Sequence, residues 1–303
     1  MSGSIPAFAQ AKSAFAQPAQ TEARGFWRRL VRVLRRNRTA MFGAAIITIF
    51  VVVALLADQL APYPPNKITL SQRFIPPNSE HLFGTDNLGR DILSRVIYGA
   101  RISLWVGIVT VGLAMVIGVP AGLIAGYVRG PVDTVLMRLV DIFLAFPVII
   151  LAIAIVAVRG PGLTNVMLAL VAVYWTTYAR VTRGVTLVLR EEDYVTAAKS
   201  IGVGATRIMY RHILPNAMAP ILVIATLGLG NAILAEAALS FLGLGIQPPE
   251  ASWGSMLNFG MQFLRDAPWL TLFPGTAIFL TVLGFNLLGD GLRDAMDPRL
   301  RSD

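Results

Sequence analysis

The chain has 303 residues, of which 55% are hydrophobic and only 14% charged, with a formal net charge of +9. Soluble domains carry about a quarter charged residues, so a soluble fold is excluded, and continuous rather than alternating apolar runs exclude a transmembrane β-barrel. Cysteine is absent and His81 and His212 are the only histidines, which removes disulfide and thiol chemistry and a His-rich metal site.

Residues 1–23 are rich in Ala, Gln and Ser and read as a loose tail. Arg24, Arg28, Arg29, Arg32, Arg35, Arg36 and Arg38 then precede an uncharged run from position 40 to 57. That run is too long and starts too late for a cleaved signal. Hydropathy predicts six spans, at about 40–60, 102–128, 142–158, 160–179, 217–246 and 269–289. The expected fold class is an all-α polytopic membrane protein. It divides into a basic tail (1–39), a first span with an external loop (40–101), a core (102–289) containing a polar loop at 190–216, and a second tail (290–303).

The basic residues sit beside the spans, so they report orientation rather than nucleic-acid binding. Seven arginines before the first span place the N-terminus in the cytoplasm, and six crossings return the C-terminus there. The loop with Arg129 and Arg138 falls inside, as does the loop with Arg180, Arg183, Arg190, Lys199, Arg207 and Arg211. The loop at 61–101 is nearly charge-balanced and falls outside. There, Asp91 and Arg95 are spaced to pair along a helix. With Asp86, Arg90 and Arg101 they are expected to form a solvated surface helix, a contact surface for another protein being the sharper reading.

Gly118, Gly122 and Gly126 recur every fourth residue, a smooth strip that lets another helix come close. Packing within the chain is the preferred reading over an interface with a second subunit. Pro120 is expected to bend this span and Pro147 to kink the next.

Glu191, Glu192 and Asp193 suit the positive end of a helix running from Tyr194 to about Ile201. Gly202 and Gly204 break it, residues 205–212 form a second short helix, and Pro215 is expected in a loop before the fifth span. Ala197 and Ala198 let a partner surface approach, and Arg207 and Arg211 share a helix face. A protein partner is preferred over lipid headgroups, because the Ala-Ala-Lys-Ser centre lacks bulky apolar anchors. Glu236 is the one clear acid inside a span, where a charge costs about 3 kcal/mol. It either lines a pathway and meets the amino terminus of a passing peptide, or is capped by neighbours at the outer end.

A P-loop needs Gly-Lys-Ser/Thr. None of Lys12, Lys67 and Lys199 follows a glycine, so any nucleotide-driven motor lies on another chain.

Ala197-Ala198, Gly202 and the run His212-Ile213-Leu214-Pro215-Asn216 resemble the EAA motif of ABC-importer permeases. HLFGTDNLGRDILSRVIYGARISL at 81–104, ALSFLGLGIQPPEASWGSML at 238–257 and FNLLGDGLRDAMDPRLR at 285–301 resemble segments of the dipeptide/oligopeptide/nickel branch, C-type subunits in particular. Thr196 stands where the motif's glutamate would be. The resemblance implies a type I, MetI-like permease fold in a bacterial inner membrane. It implies that Tyr194, Ala197, Ala198, Gly202, Gly204, Arg207, His212 and Pro215 belong to a coupling loop seated on a cytoplasmic ATPase. It further implies a homologous permease (DppB/OppB-type), two ATPase subunits (DppD/DppF-type) that bind ATP and Mg, and an extracytoplasmic peptide-binding protein. Dipeptides or short peptides are the expected cargo, with nickel or glutathione as alternatives within the branch. A stand-alone secondary carrier and a membrane-embedded hydrolase are the rivals from other classes.

Overall fold

A computed structural model describes residues 37–296; the tails before and after lie outside the described residues. Those residues form helices α1 (Arg38–Leu55), α2 (Ala57–Leu60), α3 (Ile92–Val128), α4 (Gly130–Leu144), α5 (Val148–Arg159), α6 (Leu163–Leu189), α7 (Asp193–Ser200), α8 (Ala205–Ile208), α9 (Leu214–Phe241), α10 (Trp253–Met261) and α11 (Trp269–Met296). There is no strand among them.

Local chemistry sets the ends. Asn37 caps α1, its Oδ1 accepting from the amides of Thr39 and Ala40 at 3.1 and 3.2 Å. Asp91 caps α3, taking the Ser94 amide at 2.8 Å, so this helix starts ten residues before the predicted span. Its added turns bury Ile92, Val96 and Ala100 in an outer core with Trp253 and Leu270. At the other end of the fifth span, Gly243 adopts φ +80° and stops α9 at Phe241, short of the predicted 246. Helix α10 was not predicted: nine residues are too short to register as a span. A reciprocal capping box between Ser252 and Ser255 starts it, and Trp253 anchors it by donating Nε1–H to the Val96 carbonyl at 2.9 Å.

The predicted third span at 142–158 is not one helix. It is broken around Pro147, and α4 and α5 meet at 87°. Pro147 has ψ 131° and caps α5 instead of kinking a continuous helix. By length and apolar character, four described helices can cross a bilayer, or five if the bent pair is one crossing. Helix α6 is long enough at 27 residues but less apolar, since it carries Arg180 and Arg183.

Contact order fixes the directions. Gly118, Gly122 and Gly126 meet Trp175, Ala179 and Thr186 in ascending order, so α3 and α6 run parallel. The bent pair must therefore carry the chain back along the bundle. Asp141 with Arg180 (2.6 Å) and Asp133 with Arg183 (2.5 and 2.7 Å) tie α4 antiparallel to α6. Farther along, Ala152 and Val156 of α5 pack with Val166, Ala169 and Leu170 of α6. Helix α9 runs against α6, Tyr174 donating to the Asn231 carbonyl at 3.3 Å. Helix α11 runs against α9 (Phe285 at Gly230, Leu227 at Gly289) and against α1 (Gly284 at Gly43, Gly291 at Ala40). The start of α1, the end of α11 and the α6–α9 connection thus share one end of the bundle.

Candidate functional site

The α6–α9 connection is a folded element. Helix α7 carries Asp193 in its first turn and Lys199 in its last, each sign matched to the helix dipole. Gly202, at φ +79°, then ends it in a Schellman turn. The Gly202 amide donates to the Lys199 carbonyl at 3.0 Å, and the Val203 amide to the Ala198 carbonyl at 3.0 Å. Gly204 has an ordinary extended conformation and caps α8.

Helix α8 does not stop before the fifth span. It passes through a π-helical turn, Met209–Ile213, directly into α9. Pro215 therefore lies in the first turn of α9, not in a loop. The neighbouring His212 carbonyl accepts from Asn216 Nδ2 at 2.7 Å.

One face of this element is sealed. Val195 and Ala198 of α7 join Ile208, Met209 and Ile213 around Leu123 of α3, with Ile124, Tyr127 and Val203 alongside. Arg190 donates to the Tyr127 carbonyl at 2.6 Å, and the Lys199 ammonium lies 5.6 Å from the centre of the Tyr127 ring. Ala198 thus faces the chain's own core, correcting the expectation that both alanines face a partner; Ala197 alone is exposed. An eight-residue helix is too short for its period to show which alanine points inward.

The opposite face is open. Ile201 is 81% exposed, Tyr210 48% and Tyr194 39%. Arg207 and Arg211 are exposed as well, and His212 is half-buried. The sequence reading missed Ile201 and Tyr210. An isoleucine immediately before a helix-ending glycine was the available signal, because that position projects beyond the last turn. The Tyr194 hydroxyl accepts from Asn216 Nδ2 at 3.4 Å.

The glycine strip packs within the chain. A Cβ on Gly118 would collide with the Trp175 carbonyl, on Gly122 with the Ala179 carbonyl, and on Gly126 with Thr186. Glu236 is fully buried near the outer end of α9 and accepts from Ser240 Oγ at 2.6 Å. Its Oε2 is buried and has no hydrogen-bond partner among the described residues.

The outer charges contradict their expected solvated helix. Asp86, Arg90, Asp91 and Arg95 are 2, 9, 3 and 6% exposed. Asp91 does not pair with Arg95. It accepts from His81 Nδ1 at 2.9 Å and from Ser94 Oγ at 2.7 Å, while Arg90 Nε donates to Asp86 at 2.6 Å. Arg95 Nη1 reaches back to the Pro65 carbonyl and Asn66 Oδ1, both at 3.1 Å. Arg101 does lie at the surface, paired with Asp58 at 3.1 Å. The Tyr98 hydroxyl and the Arg101 guanidinium hold the Asp58 carboxyl below the usual carboxylate range. Among the described residues no cluster of three or more His, Asp or Glu side chains could hold a metal ion.

Comparisons with known proteins agree with this arrangement. The family described as the binding-protein-dependent transport system inner membrane component matches residues 118–302. The N-terminal TM domain of oligopeptide transport permease C matches residues 25–77. The chain is 49% identical to the dipeptide transport system permease protein DppC of Alkalihalophilus pseudofirmus, over 91% of each chain. It is 44% identical to the glutathione transport system permease protein GsiD of Pectobacterium atrosepticum, over 93% of each. A chain of the MetNI methionine ABC transporter shares the fold with a TM-score of 0.55 at 20% identity, covering 68% of this chain and 98% of that one.

Fold and site together define an all-α polytopic membrane protein of MetI-like architecture, with a folded loop presented at one end of its bundle. The chain belongs to the binding-protein-dependent transport system inner membrane component family. It is a multi-pass inner-membrane permease subunit of an ABC importer.

Proposed function

We propose that this chain is the translocation subunit of an importer for dipeptides and other short peptides, driven through the α7–α8 element. The observation that carries the proposal is the two-sided character of that element. One face is sealed to α3 through Val195, Ala198 and Leu123, while the other offers Ala197, Ile201 and Tyr210. A push on the open face is passed to α3, and the glycine strip joins α3 to α6, so both helices move as a unit. Packed cores switch between discrete arrangements instead of deforming continuously, which suits an alternating pathway.

The partners in this reading are a homologous permease of the DppB/OppB type, two ATPase subunits of the DppD/DppF type and an extracytoplasmic peptide-binding protein. ATP and Mg bind the ATPases, and this chain catalyses no bond change. The missing Gly-Lys-Ser/Thr sequence supports an external motor. Relatives named for dipeptide and glutathione transport support a peptide cargo, glutathione being itself a short peptide. In this reading the end of the bundle bearing α7, and both termini, face the cytoplasm, which arginine placement supports.

The test is reconstitution of the five-subunit assembly in proteoliposomes with labelled Ala-Ala. Uptake that requires ATP, both ATPases and the binding protein is expected. Gradient-driven flux through this chain alone would instead establish a secondary carrier.

A further inference from the structure

Two open faces of the bundle differ in chemistry. On α3 the exposed side chains between positions 102 and 127 include Trp105, Ile108, Leu113 and Val116, an apolar surface suited to lipid. The face shared by α6 and α9 is not of that kind. There Asn231, Thr177 and Arg180 are exposed. Neither the Asn231 amide group nor the Thr177 hydroxyl makes a side-chain hydrogen bond among the described residues.

Both groups lie deep. At 1.5 Å per residue, Asn231 is about 26 Å from the Leu214 end of α9 and about 15 Å from the other. Thr177 is about 21 Å and about 18 Å from the two ends of α6. A hydrocarbon core about 30 Å thick, centred on either helix, encloses them. Facing lipid, an amide or hydroxyl would forfeit the hydrogen bonds it makes in water, so polar groups at this depth turn to protein or to a water-filled cavity. The polar groups also form a track along the bundle. The Tyr174 hydroxyl joins the two helices at the Asn231 carbonyl, at 3.3 Å. Tyr174, Thr177 and Arg180 then follow at a spacing of three, neighbouring positions on a helix surface. Arg180 pairs with Asp141 at 2.6 Å, the side chains 55% and 57% exposed. A contact between subunits needs a polar pair at one level only. A track that runs toward the α7 end and finishes in a half-exposed ion pair suits water and a polar cargo.

We infer that Asn231, Tyr174 and Thr177 form this chain's wall of the translocation route, with the Asn231 amide exchanging hydrogen bonds with the peptide bond of the cargo. A carboxamide donates and accepts, as a peptide bond does, so the contact is indifferent to the side chains carried past it. The inference deepens the peptide-importer reading and rests on it.

The chain has no native cysteine, so Asn231→Cys and Thr177→Cys each place a single thiol in it. The complete importer in lipid nanodiscs is exposed on both sides to a charged, membrane-impermeant methanethiosulfonate, and labelling of this chain is followed. Both thiols should react at least tenfold faster than Val116→Cys on the apolar face of α3. The second arm is uptake of labelled Ala-Ala in proteoliposomes. Asn231→Leu should lower it at least fivefold with subunit composition and melting temperature unchanged, and Asn231→Gln should retain most of it.

Thiols at 231 and 177 that react no faster than the one at 116 would overturn the inference. They would mean that lipid or a helix of the second permease covers this face. Wild-type uptake by the Asn231→Leu importer would overturn it as well, and so would loss of uptake accompanied by a changed melting temperature, which marks a packing role. The wild-type assembly separates the two levels. Ala-Ala taken up while both thiols stay unreactive refutes this route alone, whereas no peptide uptake at all refutes the peptide-importer reading.

Discussion

Gly202 acts through one dihedral angle. At φ +79° it occupies the left-handed region, where a side chain costs about 1–2 kcal/mol and a β-branched one more. Gly202→Val should therefore unwind the end of α7 and lower ATP-driven uptake severalfold, while Gly202→Asn, which tolerates that region, should retain most activity. The role of Gly202 was legible in the sequence because a glycine after a helical run is a stop signal with a mechanism. The orientation of Ala198 was not, since it depends on Leu123, more than seventy positions away.

Glu236 makes a second residue-scale case. Its full burial and its bond from Ser240 favour capping by neighbours, while Oε2 is left without a partner among the described residues. Glu236→Gln keeps the volume and one acceptor, so uptake close to wild type is expected with intact assembly. Glu236→Ala leaves a cavity and deprives Ser240 of its acceptor, a loss of roughly 2–4 kcal/mol seen as lower thermal stability. Lost uptake in a well-assembled Glu236→Gln importer would return the residue to the pathway. The outer acids and arginines were misread for a related reason. Spacing of four marks a possible pair on an exposed helix, but it cannot reveal that Asp91 caps α3 and that the neighbouring loop buries Arg95.

At the scale of elements, α3 is the strut. Its outer turns carry the Asp91 cap and the Trp253 anchor, its middle the glycine strip, and its inner end the Leu123 seat of α7. Gly122→Leu must push the Ala179 and Thr182 segment of α6 away. Overpacking of this kind costs about 1–3 kcal/mol or more. A lower melting temperature of the purified complex is expected, with Gly112→Leu as the neutral control because open space surrounds Gly112. The strip was readable from its period. The break at Pro147 was only half readable, because hydropathy reports apolar content along 142–158 and is blind to a change of direction within it.

For the whole molecule, the order of contacts puts both described ends and the α7–α8 element at one end of the bundle, and the buried outer network at the other. In the proposed reading the first end faces the cytoplasm, an expectation from arginine distribution. The absence of native cysteine makes this directly testable by single-thiol labelling. In oriented vesicles, Lys199→Cys should react only from the ATPase side and Leu82→Cys only from the opposite side; the reverse pattern would invert the topology. General architecture was legible from apolar runs and charge placement alone. The extra helix α10 and the continuity of α8 into α9 were not, because both are decided by packing rather than by pattern.

The most direct measurement is ATP-driven dipeptide uptake by the complete importer carrying Ile201→Glu. Ile201 is 81% exposed and lies outside the sealed face, so the substitution should leave fold and membrane insertion intact. Uptake at least tenfold below wild type, with an unchanged melting temperature, is the result expected if force enters through this element. Full uptake in that variant, or uptake by assemblies lacking the ATPase subunits, would contradict the account.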